Sequence, residues 1–139
     1  MSDYEFLKNA IRGSESEVFL GRLAATNASR GDVKSFGQML VDDHSKARDE
    51  ARGLVQQMGM IASNGPNSEA GEEWETLKQL KGDAFDKEFV RYMIDDHKKD
   101  VAKFRREASN GRGPAQDFAS RTLPTLQKHL EMAEGLASR

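Results

Sequence analysis

Apolar residues recur along this chain at intervals of three and four, the period of a helix with one buried face, and no stretch alternates as a half-buried strand does. Gly, Pro and Asn clusters punctuate the pattern and divide it into four long helical segments. The first spans about 3–28 and ends in Asn27-Ala-Ser-Arg-Gly31. The second spans about 32–58, with Asp32 placed to cap it and Gly59 to stop it. The third spans about 83–109, with Asp83 as its cap, and the fourth spans about 114–137, where Pro114 suits the first helical position. Between the second and third, positions 60–68 read as loop and 68–80 as a shorter helix that Ser68 can cap.

These elements predict one all-α domain over residues 1–139, a ferritin-like four-helix bundle. Short links make the first and second helices antiparallel neighbours, and likewise the third and fourth. The link between the second and third is long enough to travel the length of a bundle, and it carries the extra helix. A short internal repeat supports the layout: Phe36-Gly-Gln-Met-Leu-Val-Asp-Asp-His44 resembles Phe89-Val-Arg-Tyr-Met-Ile-Asp-Asp-His97, which puts one Asp-Asp-His unit on each of two helices.

A helix turns by about 100° per residue, so each polar residue can be placed against its helix's apolar stripe. His44 falls within the stripe Val33, Phe36, Gly37, Leu40, Ala47, Ala51, Leu54, Met58. His97 falls within Val90, Met93, Ile94, Val101, Phe104, Ala108, with Asp96 and Asp100 on its flank. His129 falls within Phe118, Thr122, Leu126, Ala133, Leu136. Glu17 sits inside the face formed by Phe6, Ala10, Gly13, Gly21, Ala24 and Ala28, whereas Glu15 and Asp42 point away and Asp43 lies on a flank. Height agrees with direction, since at 1.5 Å per residue all four inward groups lie roughly 20–26 Å from a helix end. Three imidazoles and a carboxylate should therefore meet near the middle of the bundle.

One inward histidine is ordinary, but a buried and unpaired carboxylate costs several kcal/mol. Four such groups at one level need something to satisfy them, and a divalent metal does so. The expected metal site is Glu17, His44, His97 and His129, with Asp43, Asp96 and Asp100 as hydrogen-bond partners of the ligands or as ligands to a second ion. One carboxylate and three imidazoles suit zinc, iron, manganese or copper, and zinc, iron and manganese are the expected occupants.

Composition narrows the chemistry further. With no cysteine in 139 residues, disulfides, thiolate metal sites and cysteine nucleophiles are excluded. Lys and Arg number 21 against 23 Asp and Glu, so no basic excess points to nucleic acid. No apolar run approaches the length of a transmembrane segment, and Met-Ser-Asp-Tyr-Glu-Phe does not read as a signal peptide. No P-loop, dinucleotide fingerprint or serine-nucleophile motif occurs. The expected partner is a metal ion; a homo-oligomer is compatible with the pattern, and no protein partner is indicated. Glycines 21 and 37 face inward, which fits a close approach of the first two helices. Pro124 inside the fourth helix is expected to bend it near His129. Trp74 reads as a lid residue packing over the side of the bundle, and the scattered methionines read as core filler.

The residues Phe6-Leu-Lys-Asn-Ala, Glu17-Val, Val33 to His44, Phe85-Asp-Lys-Glu-Phe, Met93-Ile-Asp-Asp-His97 and Thr122-Leu-Pro-Thr-Leu-Gln-Lys-His129-Leu carry a resemblance over nearly the whole chain. Together they resemble a bacterial ferritin-like family of unknown function, often labelled "predicted outer membrane protein". The resemblance implies the bundle and a periplasmic or exported place, although this sequence shows no leader, which leaves a cytoplasmic place open. It implies no particular activity. Diiron ferritins use Glu-x-x-His motifs, but Val41, Ile94 and Leu126 stand three residues before the histidines here, so ferroxidase activity is not implied. An exposed phosphotransfer histidine is disfavoured because all three histidines face inward. The function expected is metal binding, in stress response or metal homeostasis. The alternative is a structural or partner-binding bundle whose buried polar cluster is satisfied internally. Whether the site turns over a substrate is left open by the sequence.

Overall fold

The computed structural model describes residues 1–62 and 64–139, so position 63 of the expected loop lies outside the described residues. Five helices are present and, among the described residues, no strand: α1 (Asp3–Asn27), α2 (Gly31–Gln57), α3 (Ser68–Leu77), α4 (Gly82–Asn110) and α5 (Pro114–Ala137). The ends of the four long helices fall where the periodicity puts them. The short helix stops at Leu77 instead of Leu80.

Three of the expected caps are not the observed ones. Asp32 and Asp83 sit inside the first turns of α2 and α4, where Arg30 and Lys81 are the N-caps. There the two carboxylates complement the helix dipole and form ion pairs, Asp32 with Arg30 and Arg139, Asp83 with Lys87. Asn67, not Ser68, caps α3 by accepting from the Ala70 N–H at 2.9 Å. The open N–H groups before α2 are taken by Asp86 of α4, which accepts from Ser29 at 2.8 Å and Arg30 at 2.9 Å. Gly59 does stop α2. Its φ of +72° completes a C-terminal motif in which Gly59 N–H donates to Gln56 and Met60 N–H to Val55.

Long-range contacts order the helices. α1 packs along α2 and α4 along α5, and α2 against α5 joins the two pairs. At one end, Asp86 of α4 meets the α1–α2 turn, and Arg139 after α5 meets Asp32 of α2. At the other, Tyr4 bonds the Ile61 carbonyl and the Phe6 ring meets Phe104. Hence α1 and α5 run one way and α2 and α4 the other, and the segment carrying α3 returns the chain along the bundle. Trp74 of α3 stacks on Phe19 of α1 at 5.7 Å, as a lid residue would. The closest seam is α1 on α2: a Cβ at Gly21 would lie 2.8 Å from the Gly37 carbonyl oxygen, and a Cβ at Gly37 2.8 Å from that of Gly21.

The apolar core comes in two blocks. One gathers Leu20, Phe36, Leu40, Phe85, Phe89 and Met93; the other gathers Phe6, Leu7, Ile11, Val55 and Phe118. Between the blocks every long helix carries a buried polar residue, Ser14, Ser16 and Glu17 on α1, His44 on α2, His97 on α4 and His129 on α5, beside the buried apolar Val18, Val101 and Leu126. Met58, expected within the α2 stripe, is exposed because the helix has already ended there. Glu15 does not escape into solvent but forms ion pairs with Arg48 and Arg52 of α2.

Candidate metal centre

The polar layer is where the helices bring the sequence-predicted groups together. His97 and His129 are 0% exposed, Glu17 1% and His44 5%. The three imidazoles face one another, with ring centroids 5.1 to 5.8 Å apart. One ligand atom from each of His44, His97 and His129 lies within 4.8 Å of the other two.

The ring nitrogens of His97 and His129 can be assigned roles. His97 Nδ1 is 2.8 Å from the Met93 carbonyl, which can only accept, so Nδ1 carries the proton and Nε2 the lone pair. His129 Nε2 is 2.8 Å from the Asp43 carboxylate, so Nε2 carries the proton and Nδ1 the lone pair. His97 Nε2, His129 Nδ1 and His44 Nε2 are all buried and without a hydrogen-bond partner. Buried polar atoms in native proteins are nearly always satisfied. Three orphans in one layer leave a place where a group that accepts lone pairs could be held, as a metal ion or a hydrogen-bond donor does.

Electrostatics keeps these rings neutral. Burial, then the neighbouring His97 and His129, holds His44 well below the usual imidazole range. Burial brings His97 down to about 4, and burial also lowers His129 against the opposing pull of Asp43. Neutral imidazoles keep the lone pairs a metal needs.

Glu17 is placed differently from the expectation. It does not join all three histidines; it groups with Asp96 and His97, again with ligand atoms within 4.8 Å of one another. Burial, followed by Asp96 and Asp100, raises its carboxyl well above the usual range, and its Oε2 has no partner. His97 thus belongs to two overlapping triads, one of three nitrogens and one of two carboxylates and a nitrogen. Asp43 orients His129, Asp96 faces Glu17, and Asp100 stands outside both triads, where burial and Asp96 raise it to about 7. A cavity of about 690 Å³, lined by Phe6, Ala10, Phe104 and Leu126, reaches the His44 ring and Asp100 from one end of the bundle.

Sequence reasoning missed two buried carboxylates. Asp86 is structural, as described above. Glu73 of α3 is 8% exposed and raised to about 8 by burial and by its neighbour Glu88, with Oε2 lacking a partner. Its signal was present in the sequence, because Ala70, Glu73 and Leu77 share one face of that helix.

Solved structures share this fold. A DUF305 fragment from Deinococcus radiodurans superposes with a TM-score of 0.87 at 15% identity, covering 99% of this chain and 95% of that one. CopM in its Cu(II)-bound form gives 0.83 at 17% identity, covering 99% and 97%. CopM in its Cu(I)-bound form gives 0.81 at 16% identity, covering 97% and 94%. No curated protein matches the chain. No helix among the described residues is long and apolar enough to cross a membrane. Residues 1–136 match a domain of unknown function, DUF4142, and the chain belongs to that family.

Proposed function

We propose that this protein binds copper in the middle of a ferritin-like four-helix bundle, on His44, His97 and His129, and serves metal homeostasis or the stress that excess metal causes. The observation that carries the reading is the set of three buried imidazoles, each with a ring nitrogen that has no partner, whose ligand atoms lie within 4.8 Å of one another. Asp43 and the Met93 carbonyl orient two of the rings from behind, the usual support of a metal-bound histidine. The alternative of an internally satisfied polar cluster is disfavoured by the same orphaned atoms.

Copper replaces the earlier expectation of zinc, iron or manganese for two reasons. Solved structures of this fold include CopM with Cu(II) and with Cu(I). The triad is also all imidazole, and copper lies at the top of the general affinity order of divalent first-row metals for nitrogen ligands. Bound there, copper would supply a redox-active cation in a buried layer that a cavity reaches at His44.

The test is an equilibrium titration of the purified chain with Cu(II), in competition with a chelator of known affinity. One copper per chain is expected, with affinity falling by at least about a hundredfold in His44→Ala and in His129→Ala, each of which removes a ligand. Copper uptake that is unchanged in both variants contradicts the reading.

A further inference from the structure

Resting on that reading, we propose that the cation enters through an acidic cleft between α3 and α4 and is held in transit by Glu17, Asp96 and His97 before it reaches the three imidazoles.

The cleft, of about 370 Å³, is lined by the acids Glu69, Glu72, Asp95 and Asp96, and by Glu73, whose raised carboxyl adds little charge at neutral pH, against two bases, Arg91 and Lys99. Arg91 is already engaged, with Glu88 at 2.6 Å and Asp95 at 3.0 Å. A concave surface lined with one sign of charge concentrates ions of the other sign and speeds their arrival. The larger cavity that reaches His44 offers no such pull, because Asp3, Asp100 and Glu107 there are balanced by Lys103, Arg106 and Arg112.

Asp96 joins the surface to the interior. It lines the cleft, and it also forms a group with Glu17 and His97 whose ligand atoms lie within 4.8 Å of one another. Two buried atoms of that group, Glu17 Oε2 and His97 Nε2, have no hydrogen-bond partner. Acidity alone would not make this a site; these orphans do.

His97 supplies the hand-over. Its Nδ1 is committed to the Met93 carbonyl at 2.8 Å, so only Nε2 can bind a metal, and only one metal at a time. An ion is therefore held either with Glu17 and Asp96 or with His44 and His129. Moving inward exchanges two carboxylate oxygens for two imidazole nitrogens while His97 keeps its bond. That exchange is downhill for copper and uphill for a harder cation such as magnesium or calcium, which favours oxygen. The exchange of oxygen for nitrogen at His97 thus also sorts metals by class.

The experiment follows the nitrogen-ligated Cu(II) EPR signal of the full chain by rapid freeze-quench after mixing with Cu(II), with equilibrium affinity measured on the same samples. Three variants are compared with the parent: Asp96→Asn, the exposed pair Glu69→Gln with Glu72→Gln, and Gly13→Leu, which plugs the larger cavity where a Cβ meets nothing within 4 Å. Asp96→Asn is expected to slow the signal by about tenfold or more at low salt, and the Gln pair by severalfold with a weaker salt dependence. Gly13→Leu is expected to load at the parent rate. Loading that slows in Gly13→Leu and not in the acidic variants overturns the proposal. So does an Asp96→Asn variant whose affinity falls as much as its rate, since that makes Asp96 a permanent ligand. A parent chain that binds no copper fails the three-imidazole reading itself, which is a separate outcome from a loaded parent with unaffected variants.

Discussion

Asp43 shows how one half-buried flank residue governs a fully buried one. Its carboxylate fixes the proton of His129 on Nε2 and so leaves Nδ1 free, whereas the Met93 carbonyl does the opposite for His97. Asp43→Asn can donate from its amide and stabilise the wrong tautomer. Copper affinity should then fall about 10–100-fold while the helical content stays the same. A chelator-competition titration together with circular dichroism checks this, and unchanged affinity would contradict the assigned tautomer. At this scale the sequence was informative about direction. The stripes of α1, α2, α4 and α5 point Glu17, His44, His97 and His129 inward, and all four are buried. Periodicity does not say which inward groups become neighbours within a layer, and for that reason Glu17 was grouped with all three histidines and not with Asp96 and His97.

Among the elements, the α1–α2 seam sets the spacing of the bundle. Gly21 and Gly37 are inside helices, where glycine costs about 0.5–1 kcal/mol relative to alanine. The backbone contact they allow explains why alanine is unsuited there: the added Cβ would meet carbonyl oxygen at 2.8 Å. Gly21→Ala and Gly37→Ala should each destabilise by about 1–3 kcal/mol through overpacking. Gly53→Ala on the same helix meets nothing within 4 Å and should stabilise by about 0.5–1 kcal/mol. Urea unfolding of the three variants tests the contrast, and a stabilising Gly37→Ala would mean that the helices sit further apart than described. Helix boundaries were legible because periodicity, Gly and Pro are local signals. The caps were less so. The N–H groups before α2 are served by Asp86, remote in sequence, and no local pattern announces a partner from another helix.

At the scale of the whole molecule, the four long helices enclose two apolar blocks with a polar layer between them. Each block is held by hydrophobic burial, but the layer has orphaned nitrogens and a buried carboxyl that burial alone cannot reward. A metal bound there, as proposed, would turn this layer into a cross-link between α2, α4 and α5. Binding to the folded state alone adds stability as ligand rises above the dissociation constant, by about 2.7 kcal/mol at a hundredfold excess. The order of helices and the long return past α3 were legible from link lengths. The proposed preference for copper was not, because the donor set seen in sequence included Glu17 and so admitted harder ions than an all-imidazole site favours.

The most direct measurement is anomalous scattering at the copper edge from crystals of the chain loaded with one equivalent of copper. The account predicts one peak in the polar layer, bonded to Nε2 of His97, Nδ1 of His129 and a nitrogen of His44. A peak elsewhere on the molecule, such as at the exposed Met58 and Met60, with none among the three imidazoles, would contradict it.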